Sequence, residues 1–309
     1  MKLGNPAMTP RSLAKWLLLR VVGVERYCAT RTARDLRRAI EQHDQILFIH
    51  QMGKVGSMSL ARSLLASGYN KRARIYHTHF LSCAGRAFVE KLEDEGYGGW
   101  DAMPAHTREF LTRSRVLGRE LREGVLKKRK VKVITLVRDP VATNLSGFFF
   151  NSHWWPSTLV EQCRTRPEDS FEALRQCFLD TYPHDVPLSW FDMELKTLFG
   201  VDVLDSPFDQ ERGYQIYEGA SADVLLLKLE ALSDSVGPAL REFLGLDNVE
   251  FVRANEGNDW WYGELYREFK SRVSLPSDYL GHLYNSRFMH RFYSTAEIDS
   301  LYAKWAALS

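Results

Sequence analysis

The chain runs to 309 residues, 45% hydrophobic and 26% charged, proportions that exclude a disordered or fibrous polypeptide and allow one large domain or two small ones. Its 41 basic and 39 acidic side chains give a net charge of +2, too even for a protein that wraps nucleic acid with its whole surface, so no nucleic-acid partner is expected. Four dispersed cysteines, Cys28, Cys83, Cys163 and Cys177, suggest neither a disulfide framework nor a zinc knuckle and point to a reducing, cytoplasmic setting.

Residues 1–44 read as a basic amphipathic helical segment. Lys2, Arg11, Lys15, Arg20, Arg26, Arg31, Arg34, Arg37 and Arg38 face only Glu25 and Asp35 over the first 40 positions. Such a head suits an acidic surface, such as the inner face of a membrane; the plainer reading is a solvated helix packed through Leu13, Trp16, Leu17 and Leu19. The apolar stretch from Trp16 to Val24 is broken by Arg20 and falls short of a bilayer span.

From residue 45 short apolar runs alternate with helical stretches, the pattern of βαβ units and a mainly parallel sheet, so 45–309 reads as one α/β domain. Ile46 to His50 is a buried strand, Ser57 to Ser67 a helix stopped by Gly68, Arg74 to His79 a second strand, and Ala105 to Leu126 helical. Val131 to Val137 is the clearest strand; Asp139 and Pro140 after it read as N-cap and first helical residue. Residues 151–222, rich in aromatics, Pro and Asp, read as an insertion or cap, helical at Ser170 to Asp180 and Trp190 to Phe199. Val224 to Leu229 is a further strand, Pro238 to Leu244 a short helix, and 258–309 a helical C-terminal part.

Between the first strand and its helix stands Gly53-Lys54-Val55-Gly56-Ser57-Met58-Ser59. Small residues let the backbone curl around an oxyanion, N–H groups at a helix start point at it, and Lys54 adds a mobile positive charge. It is not a Walker A loop, since Lys54 precedes the second glycine and Val55 stands where a magnesium-binding hydroxyl would be. Arg138 follows the Val131 to Val137 strand and Ser146 comes eight residues later; on a parallel sheet both strand ends open on one edge, so two anion sites can share a crevice.

These residues resemble a known family. Lys54 to Ser59 is similar to the 5′-phosphosulfate loop of sulfotransferases that use 3′-phosphoadenosine 5′-phosphosulfate (PAPS), and Arg138 with Ser146 resembles their 3′-phosphate pair. Val224 to Leu232 and Phe243 to Leu246 are similar to their late strand and helix. Trp190-Phe191-Asp192 and Asn258-Asp259-Trp260-Trp261-Tyr262 resemble, more narrowly, the branch labelled capsular polysaccharide synthesis proteins. Gly53 replaces a Pro usual in cytosolic members, Ser57 and Ser59 replace Thr, and an Arg-Lys-Gly segment that closes the adenine side is missing.

The resemblance implies a P-loop-like three-layer sandwich with a mainly parallel sheet flanked by helices, and transfer of a sulfuryl group from PAPS to an acceptor hydroxyl on a glycan or another small molecule, with no metal required. Lys54 would stabilise the leaving oxygen, Gly53 to Ser59 hold the 5′-phosphate, and Arg138 and Ser146 select the 3′-phosphate. For the base, His77 and His79 flank Thr78 at the end of a strand, one of them expected to face the crevice, with His79 preferred. Asp139, Glu230, His153 and His184 are further candidates. Trp154 with Trp155 and Trp260 with Trp261 offer faces for sugars or are core. The basic run from Lys127 to Lys132 reads as an exposed turn, and the His-Thr-His pair lacks a third metal ligand at a telling spacing. The competing functions are a nucleotide-dependent kinase or NTPase, which would need magnesium, and a non-catalytic glycan- or membrane-associated binding protein.

Overall fold

A computed structural model of the chain describes residues 23–247, 249, 251, 252 and 260–306. The expectations for Leu13, Trp16, Leu17, Leu19, Asn258 and Asp259 lie outside these residues. Five strands form one sheet: β1 (Gln45–His50), β2 (Ala73–Thr78), β3 (Val131–Val137), β4 (Tyr214–Glu218) and β5 (Ala222–Lys228), in the order β2-β1-β3-β5-β4. The first four of that order run parallel, and β4 is antiparallel on the edge. β1, β3 and β5 are apolar at successive positions, and nearly all their residues are buried, which requires cover on both faces.

Helices supply that cover: α1 (Val24–Gln42), α2 (Ser57–Ala66), α3 (Cys83–Tyr97), α4 (Ala105–Arg122), α5 (Pro140–Phe150), α6 (Ser157–Thr165), α7 (Phe171–Thr181), α8 (Val186–Phe191), α9 (Leu232–Leu244), α10 (Gly263–Arg272), α11 (Ser277–Tyr284), α12 (Arg287–Phe292) and α13 (Thr295–Ala306). The chain leaves α8 through a π-helical turn, Asp192–Lys196. α1 buries Cys28, Thr32, Leu36 and Ala39 and exposes Arg26, Arg31, Arg34, Arg37 and Arg38, so within the described part it is the solvated amphipathic helix expected. No helix among the described residues is long and apolar enough to cross a membrane.

Asp139 caps α5 as expected, its carboxyl oxygen accepting from Val141 N at 3.0 Å. Several boundaries differ from the sequence reading: the helix expected over Trp190 to Phe199 starts at Val186 and passes through the π turn, and the 151–222 stretch contains a strand of the sheet, β4. α4 stops at Arg122 and a separate 3₁₀ turn, Val125–Lys128, follows. α9 begins at Leu232, so Pro238 lies inside it; Pro238 is on the exposed side, where water can satisfy the carbonyl that its missing N–H leaves over.

Candidate functional site

In an open parallel sheet a crevice forms at the carboxyl edge where successive connections leave in opposite directions. Here β2 lies on one side of β1 and β3 on the other, so the loop after β1 and the residue after β3 meet. Arg138 Nη1 donates to Lys54 O at 2.7 Å, which brings the two expected anion sites together.

Within the loop the left-handed positions are Lys54, at φ +68°, and Gly56, at φ +90°. Gly56 is doubly constrained, since a Cβ there would stand 2.5 Å from Leu229 Cδ1. Gly53 is not: its φ is not positive and a Cβ would meet nothing within 4 Å. The curl expected from two glycines is thus made by a lysine and one glycine, a geometry that turns backbone N–H groups toward a common centre. Ser57 and Met58 follow at the start of α2, where first-turn N–H groups lack intrahelical acceptors. Val55 is wholly buried and Ser57 nearly so, leaving Val55 only its backbone to offer, while Met58 and Ser59 are half-buried.

On α5 only Ser146 and Phe150 escape burial. Four residues apart, they share one helix face, and Lys54 Nζ lies 4.4 Å from the centroid of the Phe150 ring. Ser146 therefore looks out on the same side as the loop lysine. A third cation joins them: Lys270 on α10 is pushed below the ordinary lysine range by burial and then by the charge of Arg138. The sequence reading missed it, because no spacing links residue 270 to residue 138.

The corner that carries Arg138 is pinned by the C-terminal helices. Asp139 accepts from Tyr284 Oη and Trp305 Nε1, each at 2.9 Å, and Glu230 accepts from Asp139 N and Tyr293 Oη. Burial raises Glu230 above the carboxylate range. Asp139 and Glu230 thus fasten this corner. His184 is held by Phe178 O and Tyr279 Oη, and His153 by Glu93 at 3.0 Å, which accounts for the remaining candidates structurally.

His77 and His79 are two apart along an extended chain and so share one side; their rings lie 4.9 Å apart, edge to face. Burial lowers His77 to about 3 and His79 to about 4, so both are neutral at pH 7. His79 Nδ1 donates to Gln51 O at 2.9 Å, and in a neutral ring that leaves the lone pair on Nε2. Lys54 is among the charges acting on this ring. Beside it, the Gln51 amide and His77 Nε2 are buried without a protein partner, an arrangement that costs free energy unless something outside the chain completes it.

Glu194, in the π turn, also escaped the sequence reading. Wholly buried, its two oxygens accept from His50 Nε2, Leu81 N, Ser82 N and Ser82 Oγ at 2.8 to 3.3 Å. Trp190, one turn earlier, donates from Nε1 to His79 O at 2.9 Å. The 151–222 stretch is thereby tied to the segment that carries the histidine. Among the described residues no three His, Cys, Asp or Glu side chains cluster as metal ligands.

Compared with known proteins, residues 171–294 match the model of a family described as putative capsular polysaccharide synthesis protein. No curated protein and no solved structure matches the chain. The matched stretch includes Trp190, Glu194, Glu230 and Lys270 and ends short of α13; the 53–59 loop, the two histidines, Arg138 and Ser146 lie before it.

Proposed function

We propose that the protein is a sulfotransferase that moves a sulfuryl group from PAPS to a hydroxyl of a carbohydrate acceptor. The observation that carries this reading is the 2.7 Å bond from Arg138 to the Lys54 carbonyl: a helix-headed loop and a guanidinium fork meet in one crevice and can hold two phosphates of one nucleotide. The residues suit that ligand. The N–H groups at the head of α2 take the 5′-phosphosulfate, and Arg138, Ser146 and Lys270 surround the 3′-phosphate.

In the reaction the acceptor oxygen attacks sulfur in line, and the bond from sulfur to the 5′-phosphate oxygen breaks. The electron pair stays on that phosphate oxygen, where Lys54 neutralises the growing charge. The acceptor's proton passes to His79 Nε2, whose tautomer is set by the bond from Nδ1 to Gln51. A sulfate ester and adenosine 3′,5′-bisphosphate leave. The exposed arginines of α1 fit a peripheral contact with an anionic lipid surface.

Calorimetry tests the nucleotide assignment. Adenosine 3′,5′-bisphosphate should bind at least tenfold more tightly than AMP, and Arg138→Ala should remove that preference, since a charge-assisted hydrogen bond is worth roughly 1.5–3 kcal/mol. Equal binding of the two nucleotides would sink the reading.

A further inference from the structure

Beyond the end of α5 lies a cleft of about 170 Å³ walled by Trp154, Trp155, Phe148 and Tyr182, with Glu95 and Asn151 among its polar lining. We propose that this cleft is the acceptor subsite and takes one neutral pyranose ring, a hexose or N-acetylhexosamine. The inference rests on the sulfuryl-transfer reading for what then happens to the sugar, but its own grounds are separate.

The first is size. At about 170 Å³ the cleft is smaller than the several hundred Å³ of a site for a larger ligand, which suits a single ring. The second is rigidity. Tyr182 Oη presses on α5 where a Cβ at Gly147 would come within 2.0 Å of it, and the Trp154 indole presses on α3 where a Cβ at Gly96 would come within 2.2 Å. Glycines at both points let the aromatic walls sit against helix backbone, so little ordering remains to be done on binding. Trp154 and Tyr182 are inclined by 31° with ring centres 6.3 Å apart, and aromatic faces of this kind attract the slightly positive C–H face of a pyranose.

Charge then chooses among sugars. The lining holds one carboxylate, Glu95, and no lysine or arginine; Lys91 pairs with Glu95 at 3.7 Å from outside the lining, so the repulsion toward a uronate or an already sulfated ring is partial. Position links the cleft to the chemistry. Asn151, in its wall, follows directly on Phe150, whose ring lies under Lys54 Nζ. Phe150 and Asn151 point to different sides of the helix, so a chain seated in the cleft has to run round the end of α5 to bring a hydroxyl toward Lys54.

The test is saturation-transfer NMR and calorimetry on the full chain with maltotetraose, N-acetylchitotetraose and an oligoglucuronate of equal length, each with and without adenosine 3′,5′-bisphosphate. A neutral tetrasaccharide should bind with saturation concentrated on one ring, and more tightly than the uronate. Trp154→Ala and, at the wall without a core role, Asn151→Ala should each weaken it about tenfold and leave bisphosphate affinity unchanged; Glu95→Gln should narrow the gap to the uronate. The proposal is overturned if no neutral tetrasaccharide binds at millimolar concentration, if both weakening substitutions leave sugar binding intact, or if they reduce bisphosphate affinity, which would make the cleft an adenine pocket. Failure of wild-type bisphosphate binding with sugar binding retained overturns the transfer reaction alone.

Discussion

Lys54 is a lysine in a conformation that normally belongs to glycine, with φ at +68°. For an L-residue that backbone costs roughly 1–2 kcal/mol through the contact between Cβ and the carbonyl, and the cost is maintained beside a glycine, Gly53, that does not need its freedom. Strain kept at one residue while a neighbour could absorb none of it is expected where the side chain has work to do at that point. The consequence is a split between stability and activity. Lys54→Gly should raise the unfolding free energy by about 1 kcal/mol and at the same time reduce sulfuryl transfer by at least a hundredfold, because the stabiliser of the leaving oxygen is gone. Thermal melts read the first and product formation the second. Were the variant both active and unchanged in stability, neither the strain nor the role that the proposed transfer gives Lys54 would stand. Gly56 behaves in the opposite way, since its positive φ is combined with contact on Leu229, and a side chain there strains the loop without any gain.

At the scale of elements, the π turn after α8 works as a fastener. One extra residue in the turn lets Glu194 reach across to the head of α3 and the end of β1, and its four donors come from positions 50, 81 and 82. An amide in its place would turn an N–H toward donors that have no other acceptor. Glu194→Gln should therefore lower stability by roughly 2–4 kcal/mol in a urea titration and loosen the segment that carries His79, lowering turnover more than nucleotide affinity. A loss under about 0.5 kcal/mol would show that the four bonds are not a unit. Such a fastener is invisible in sequence, because its partners lie 112 to 144 residues away. The same distinction separates the elements that could be read from those that could not. β1, β3 and β5 are buried on both faces and announce themselves as continuous apolar runs, and the cap at Asp139 is a local signal confined to neighbouring residues. β4, Tyr-Gln-Ile-Tyr-Glu, is a five-residue edge strand half open to solvent, and only its pairing with β5 makes it a strand. α3 buries just Gly85 and Val89, so it shows little periodicity. In the site, the Lys54 loop and Arg138 were legible because their chemistry sits in short motifs at strand ends, while Lys270, Gln51 and the aromatic cleft arise from packing between distant segments.

For the whole molecule, half-buried histidines held neutral make folding sensitive to acid. His77 titrates at about 3 and His79 at about 4, and His184 is also lowered by burial, whereas an unfolded chain protonates its histidines near 6.5. Between about pH 6.5 and 4 the unfolded state thus binds protons that the native state refuses. The stability due to these groups is complete above pH 6.5 and is lost as the pH falls toward the folded values, each histidine contributing a slope of at most about 1.4 kcal/mol per pH unit. Glu230 acts in the other direction, since its raised value makes the native state take up a proton earlier than the unfolded chain does, but it is one group against three. Denaturant titrations at pH 7, 6, 5 and 4.5 should show a falling midpoint, and His77→Leu should flatten the curve because it removes the most strongly lowered of the three. If His79 is the base of the proposed transfer, the same neutrality sets the acid limb of turnover: the ring keeps its lone pair down to about pH 4, so the loss of kcat/KM should begin well below the 6.5 of an ordinary imidazole. A wild-type protein equally stable at pH 7 and 4.5 would mean that these rings are not held neutral by their surroundings, and the basis for proposing His79 as the proton acceptor would go with that.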